Sequence, residues 1–168
     1  MDTIFTRRSV RQYEDKPVEA QKIDKLLRAA MQAPSAANQQ PWEFLVVQNK
    51  ENLQKLSKVN PYASAVGTSA ATIIVMGNED VMRAPHMWEQ DLGAATQNIL
   101  LQAAAMDLGT VWIGIAPNPQ SMKFISDMFE LPSNIKPYSV IAVGYPLEGR
   151  GNKFTDRYIE ERVHYEKF

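Results

Sequence analysis

Apolar side chains fall on nearly every face of a helix wound through Leu92–Met106, with alanine at positions 95, 103, 104 and 105. A surface helix needs a polar face, so this one belongs inside a core, packed on several sides. The rest of the chain has to supply what surrounds it. Lipid is not the solution. The most apolar stretches, Ala70–Met76 and Ile99–Met106, fall well short of the ~20 residues that cross a bilayer. The opening MDTIFTRRSVRQYEDK also lacks the apolar region of a secretory signal. The expectation is a soluble, cytoplasmic chain with no membrane of its own.

The surrounding elements are legible from periodicity. Glu19–Ala33 repeats Ile23, Leu26, Leu27, Ala30 and Met31 on one helical face, and Pro34 ends it by keeping the preceding residue out of helical angles. Phe44–Val47 is a short β-prone run, and Glu51–Val59 is a small amphipathic helix. Thr72–Met76 reads as a buried strand stopped by Gly77-Asn78, with further strands at Thr110–Ile115 and Tyr138–Val143. Pro119 opens a helix through Phe129 that turns Met122, Ile125 and Phe129 inward. This order implies an α+β domain of two or three layers. At 168 residues one domain suffices. No linker or repeat interrupts residues 1–146, whereas the tail from Leu147 is polar, glycine-punctuated and aromatic at its end.

Several chemistries are excluded. There is no cysteine, hence no disulfide, thiolate metal site, iron–sulfur cluster or thiol redox step. The two histidines, His86 and His164, are too far apart in sequence for a local metal motif. With 18 basic and 19 acidic residues the net charge is −1, which gives no general attraction to nucleic acid or anionic lipid. The only GxG, Gly149-Arg150-Gly151, lacks the third glycine and the following helix of a dinucleotide fingerprint. No phosphate loop, nucleophile elbow or plausible triad appears. Hard chemistry in such a chain comes from a bound cofactor.

Four constellations remain. Arg7-Arg8-Ser9-Val10-Arg11 gathers three guanidiniums and a hydroxyl, suited to a phosphate; the same cluster also describes the solvated cationic end of a helix. Ala33–Phe44 brackets one hydroxyl and three carboxamides between two prolines. Carboxamides match a uracil-like edge, yet ordinary helix-to-strand loops look similar. Gly109–Ile115 sets glycine inside a strand, which marks either a ligand lying close to the backbone or a packing contact. Asp156–Phe168 is an aromatic, charged terminus that frays unless a partner ties it down.

Together and in this order, RRSVRQY, APSAANQQPWEF, DLGAATQNILLQAAAMDLGTVWIG, IAVGYP and RYIEERVHYEKF resemble the FMN-dependent nitroreductase family over essentially the whole chain. The resemblance implies one nitroreductase-like FMN-binding domain over residues 1–168. Its fold is an α+β sandwich with a central, mostly antiparallel sheet flanked by helices, in an intertwined homodimer with residues 147–168 docked on the partner. Arg7, Ser9 and Arg157 match positions that bind the flavin phosphate, and Arg11 matches the position near N1 and the C2 carbonyl. Pro34, Ser35, Ala36 and Asn38 match a loop that reaches the flavin from the other subunit. Trp112, Ile113 and Gly114 match the backbone lying along the ring near N5, while Arg8 and Gln40 are weaker transfers. Asp91 stands where the family often has an acidic residue and is read as structural. No metal is implied.

The implied activity is an FMN-dependent oxidoreductase that takes electrons from NADH or NADPH and reduces nitroaromatics, quinones or similar small molecules by a ping-pong mechanism. No side chain acts as acid or base, and Arg11 and Gly114 tune the flavin. Alternatives are a non-catalytic flavin-binding module and a reductive dehalogenase on the same fold. The chain is near the short end of the family, so substrate lids are reduced.

Overall fold

β-branched and aromatic runs become four strands in the computed structural model, which describes residues 3–168: β1 (Trp42–Val47), β2 (Ala71–Asn78), β3 (Gly109–Gly114) and β4 (Ile135–Gly144). They form one sheet in the order β1-β2-β4-β3, antiparallel throughout. The helices are α1 (Thr3–Thr6), α2 (Ala20–Ala30), α3 (Lys50–Leu56), α4 (Trp88–Ala105) and α5 (Pro119–Met128).

Strand side chains alternate between two faces. Ile73 and Val75 of β2 join Ile141 and Val143 of β4 in a core shared with α2 and α4. Ile74 and Met76 join Val140 and Ala142 in a second core, covered by α3, the turn Ser64–Thr68 and α5. The central strands are therefore apolar on both faces, and the architecture is helix, sheet, helix. Three layers resolve the choice that the element order left open.

The central helix is deeply packed on its sheet and α2 sides, where Leu92, Ala95, Ile99 and Ala103 are fully buried. Another stripe stays open: Gln97 and Ala105 are exposed, and Ala94, Leu101 and Ala104 are only half-buried. One copy of the chain does not surround its most apolar helix. No helix among the described residues is long and apolar enough to cross a membrane.

One boundary differs from the periodicity. Helix α2 stops at Ala30, and residues 31–33 form a turn because Ala33 precedes Pro34. Met31, expected inside, is 48% exposed as a consequence.

The amino-terminal arginine segment is not the end of a solvated helix. After the four-residue α1 the chain straightens, Ser9 pairs with Thr110 in a parallel bridge, and the Val10 N–H donates to the Thr110 carbonyl at 2.8 Å. Gly109 permits this approach: a Cβ there would lie 2.6 Å from Val10 Cγ1 and 2.7 Å from its Cβ. Val10 is itself buried. The Gly109→Ala variant is therefore expected to lose about 1–3 kcal/mol of stability by overpacking, measured by urea unfolding. A loss under about 0.5 kcal/mol, the usual scatter of surface substitutions, would show that the segment moves aside freely.

Candidate cofactor site

Three of the expected guanidiniums converge at one corner of the sheet. Burial lowers the Arg7 pKa from its ordinary value, and the neighbouring charges of Arg157 and then Arg8 lower it further. None of the three pairs with an acidic side chain among the described residues. Arg8 bonds the Phe5 carbonyl through Nη1 at 3.1 Å, yet its Nη2 is buried without a hydrogen-bond partner. Like charges held together with no counter-ion are unfavourable unless an anion joins them.

The tail reaches this corner through Asn152. Its Oδ1 accepts from the Arg8 N–H at 2.9 Å, and its Nδ2 donates to the Leu108 carbonyl at 3.1 Å. The Lys153 N–H donates to the Thr6 carbonyl at 2.9 Å. Residues 147–153 are thus tied to their own chain. Beyond them Phe154, Tyr158, Tyr165 and Phe168 lie open, each more than 60% exposed. Sequence reading gave no role to Asn152, and a single asparagine in a polar tail offers no signal for one.

Strand β3 runs away from the arginines along the sheet edge. Ladder bonds alternate along an antiparallel strand. The Thr110 carbonyl faces outward to Val10, so the backbones of Trp112 and Gly114 face outward as well. No backbone partner meets their N–H groups among the described residues. A Cβ built on Gly114 would meet nothing within 4 Å. Ile113 points its side chain into the core, and its backbone belongs to the pairing with Val140. The Trp112 ring turns to the α4 face, 5.9 Å from Tyr138, which lies 5.9 Å from Trp88. Arg11 is exposed and, with Gln12, Tyr13, Ser64 and Thr68, lines a surface cleft of about 350 Å³.

The carboxamide loop is elsewhere. It leads into β1, the opposite edge strand, and its backbone is forced. Ala37, Asn38 and Gln40 have φ of 50°, 50° and 46°, left-handed angles that cost roughly 1–2 kcal/mol per non-glycine residue. Ser35 Oγ accepts from the Gln40 N–H at 3.0 Å, and Pro34, Asn38 and Gln40 are exposed. Ala36 is half-buried and its N–H donates to Asp91 Oδ1 at 2.9 Å. The inward side chain is Gln39, 6% exposed, one of the three carboxamides of the loop but not among the residues that the resemblance assigned to the flavin. It is one of two adjacent glutamines, and nothing in composition separates it from Gln40.

The register places these groups at diagonally opposite corners. Trp42 pairs with Gly77, which pairs with Lys136, whereas Thr110 pairs with Val143 at the far end of β4. Three strand spacings of ~4.8 Å and six residues at ~3.3 Å put the arginines roughly 25 Å from the loop. Within one chain, then, Arg7, Arg8, Ser9, Arg157, Trp112 and Gly114 share an edge, and the loop lies apart.

This edge fits FMN. It offers an acid-free guanidinium cluster with a buried unpartnered donor for one terminal phosphate. It also offers outward backbone donors beside open space for a planar ring. Three guanidiniums supply the charge for one terminal phosphate, which is what a mononucleotide carries.

Relatives agree. The sequence pattern described as the Nitroreductase family matches residues 4–64 and 59–145. A Methanothermobacter thermautotrophicus protein, provisionally named an NADH dehydrogenase/NAD(P)H nitroreductase, is 41% identical over 168 residues, covering 100% of this chain and 87% of its own. A solved Clostridium acetobutylicum structure, provisionally named an NADH oxidase, superposes with a TM-score of 0.97 at 52% identity, covering 99% of this chain and 100% of its own. The FMN-dependent nitroreductase of Clostridium difficile R20291 superposes with a TM-score of 0.90 at 29% identity, covering 99% of each chain. With its own sheet, arginine corner and open strand edge in view, this chain belongs to the nitroreductase family.

Proposed function

We propose that this chain is an NAD(P)H-dependent FMN oxidoreductase that reduces nitroaromatics, quinones or similar small molecules as a cytoplasmic homodimer. The observation that carries it is the arginine corner without an ion-paired acid, continuous with a strand edge whose Trp112 and Gly114 N–H groups meet no backbone partner among the described residues. Bound FMN supplies the two-electron chemistry, from a nicotinamide donor to the acceptor.

The chain's own residues do the rest. Arg7 and Arg157 hold the phosphate, with Ser9 and Arg8 beside them. The N–H groups of Trp112 and Gly114 orient the ring near N5. Arg11 sets a fixed cation near N1 and the C2 carbonyl, where reduction places negative charge, and so raises the reduction potential. Pro34, Ser35, Ala36, Asn38 and Gln40 complete the site from the other subunit, since in one chain they lie at the far corner. Residues 1–168 form one FMN-binding domain, and the exposed part of the 147–168 tail docks on the partner.

Two measurements test this reading. Heat release followed by chromatography should yield FMN from the yellow protein. Recovery of FAD, or no flavin even after reconstitution, overturns the reading. Turnover should be ping-pong, because no dinucleotide fold holds NAD(P)H beside a second substrate. Double-reciprocal plots at several acceptor concentrations should be parallel, and NADH or NADPH alone should bleach the yellow absorbance without acceptor. Intersecting lines would reveal a separate nicotinamide site. Bleaching by neither donor would favour a non-catalytic flavin-binding module. Dehalogenation of a haloaromatic in preference to nitro or quinone reduction would favour a reductive dehalogenase.

A further inference from the structure

Asp91 is 4% exposed, yet no cationic side chain pairs with it among the described residues. It sits in the first turn of α4 but does not cap its own helix, whose N-cap, Met87, makes no side-chain hydrogen bond. Both carboxylate oxygens serve the carboxamide loop instead. Oδ1 accepts from the Ala36 N–H at 2.9 Å and Oδ2 from Gln39 Nε2 at 2.6 Å.

Gln39 is saturated in turn. Its Oε1 accepts from the N–H groups of Arg83 and Ala84, both at 2.8 Å, and its Nε2 also donates to the Ala84 carbonyl at 3.2 Å. The amide can be placed only one way: its oxygen meets two donors and its nitrogen meets the carboxylate. Burial of Gln39 falls between Asn38 and Gln40, both left-handed and both exposed. Anchoring the middle residue inward is what turns its neighbours outward. Three unfavourable backbone conformations persist only where surrounding contacts over-determine them.

We propose that Asp91 is a positioning residue: through the Gln39 carboxamide and the Ala36 N–H it latches residues 34–40 into the shape that presents Asn38 and Gln40 to FMN. The inference rests on the FMN reading for its functional consequence, whereas the latch itself belongs to the chain alone. Its polarity makes it testable. Asp91→Asn sets two NH₂ groups against each other, and flipping either amide breaks a bond to Ala36 or to Arg83 and Ala84. Gln39→Glu sets two carboxylates against each other. Combining the two substitutions exchanges the partners. Glu at 39 accepts from Arg83, Ala84 and the Asn at 91, whose oxygen accepts from Ala36. Only the 3.2 Å bond to the Ala84 carbonyl is lost.

Each single variant should raise the FMN Kd by on the order of tenfold or more, and the exchanged pair should recover most of that affinity. In FMN-free protein, the amides of Ala36, Arg83 and Ala84 should exchange hydrogen faster in the singles and recover in the exchanged pair. A merely stabilising contact would lower the unfolding midpoint and leave the affinity of the folded protein unchanged. Folded singles that bind FMN like the wild type overturn the proposal, as does an exchanged pair no better than either single. If the singles do not fold, the exchanged pair decides: a folded pair that binds FMN supports the latch, and a folded pair that does not bind overturns it. Wild-type protein that binds no FMN would instead refute the functional reading, and amide exchange would still test the latch.

Discussion

The Arg7→Ala/Arg157→Ala double variant is expected to lose FMN affinity by at least about a hundredfold. Each guanidinium makes a charge-assisted bond to one phosphate, worth roughly 1.5–3 kcal/mol, or about tenfold to a hundredfold in Kd. The two sites are neighbours, so their effects need not add. The sign on the empty protein should be opposite. Burial, Arg157 and Arg8 all depress the Arg7 pKa, so folding disfavours its charged form. That penalty is present at every pH below the lowered pKa, hence throughout the ordinary range, and it fades only as Arg7 deprotonates in strong alkali. Removing Arg157 should therefore leave FMN-free protein as stable as the wild type or more so, while reducing the stabilisation that a given concentration of FMN confers. Arg11→Ala should behave differently, lowering the reduction potential of bound flavin with little loss of affinity. Equal losses of affinity in all three single variants, with the potential unchanged, would make the cluster a phosphate clamp only. These outcomes are read by flavin fluorescence titration, thermal unfolding with and without FMN, and a dye-linked potential measurement.

Disrupting the open tail should be at least as damaging. The Ile159→Asp/Val163→Asp variant keeps every arginine and changes two apolar side chains that are 43% and 39% exposed in the single chain. Docked on a partner, each new carboxylate would be buried without a cation, at a cost of several kcal/mol. The dimer should dissociate at least about a hundredfold more readily, and FMN should leave with it. The reason is the geometry of the sheet. Arginines beside β3 and the loop entering β1 occupy opposite corners, so one chain offers only half of the groups assigned to the flavin. The half-open stripe Ala94, Leu101 and Ala104 on α4 would give the proposed second copy an apolar surface to cover. Sedimentation with absorbance at the flavin wavelength reads both quantities at once. A variant that sediments as a monomer and retains FMN would refute the shared site.

Much of this was legible without coordinates. Periodicity located all four strands and α2 to α5 to within a few residues, because apolar burial at fixed spacing is a local property. The resemblance carried by the arginine, carboxamide, glycine and tail motifs agrees with the family found by comparison. Leu92–Met106 announced a buried helix, and its sheet-facing side is buried.

What sequence could not supply was direction. Nothing in RRSVR says that the segment straightens beside β3, because the cause is a missing Cβ at Gly109, a hundred residues away. Nothing in NQQ says that Gln39 turns in and Gln40 turns out, because the cause is a carboxylate on another helix and two amides at positions 83 and 84. Sequence by itself determined which residues carry charge, hydrogen-bonding capacity and apolar surface, since those belong to the side chains. Tertiary structure alone decided that the arginines lack an acid, that β3 keeps an open edge, and that the loop lies at the far corner. Those facts are distances between segments remote in the chain, and no local pattern encodes them.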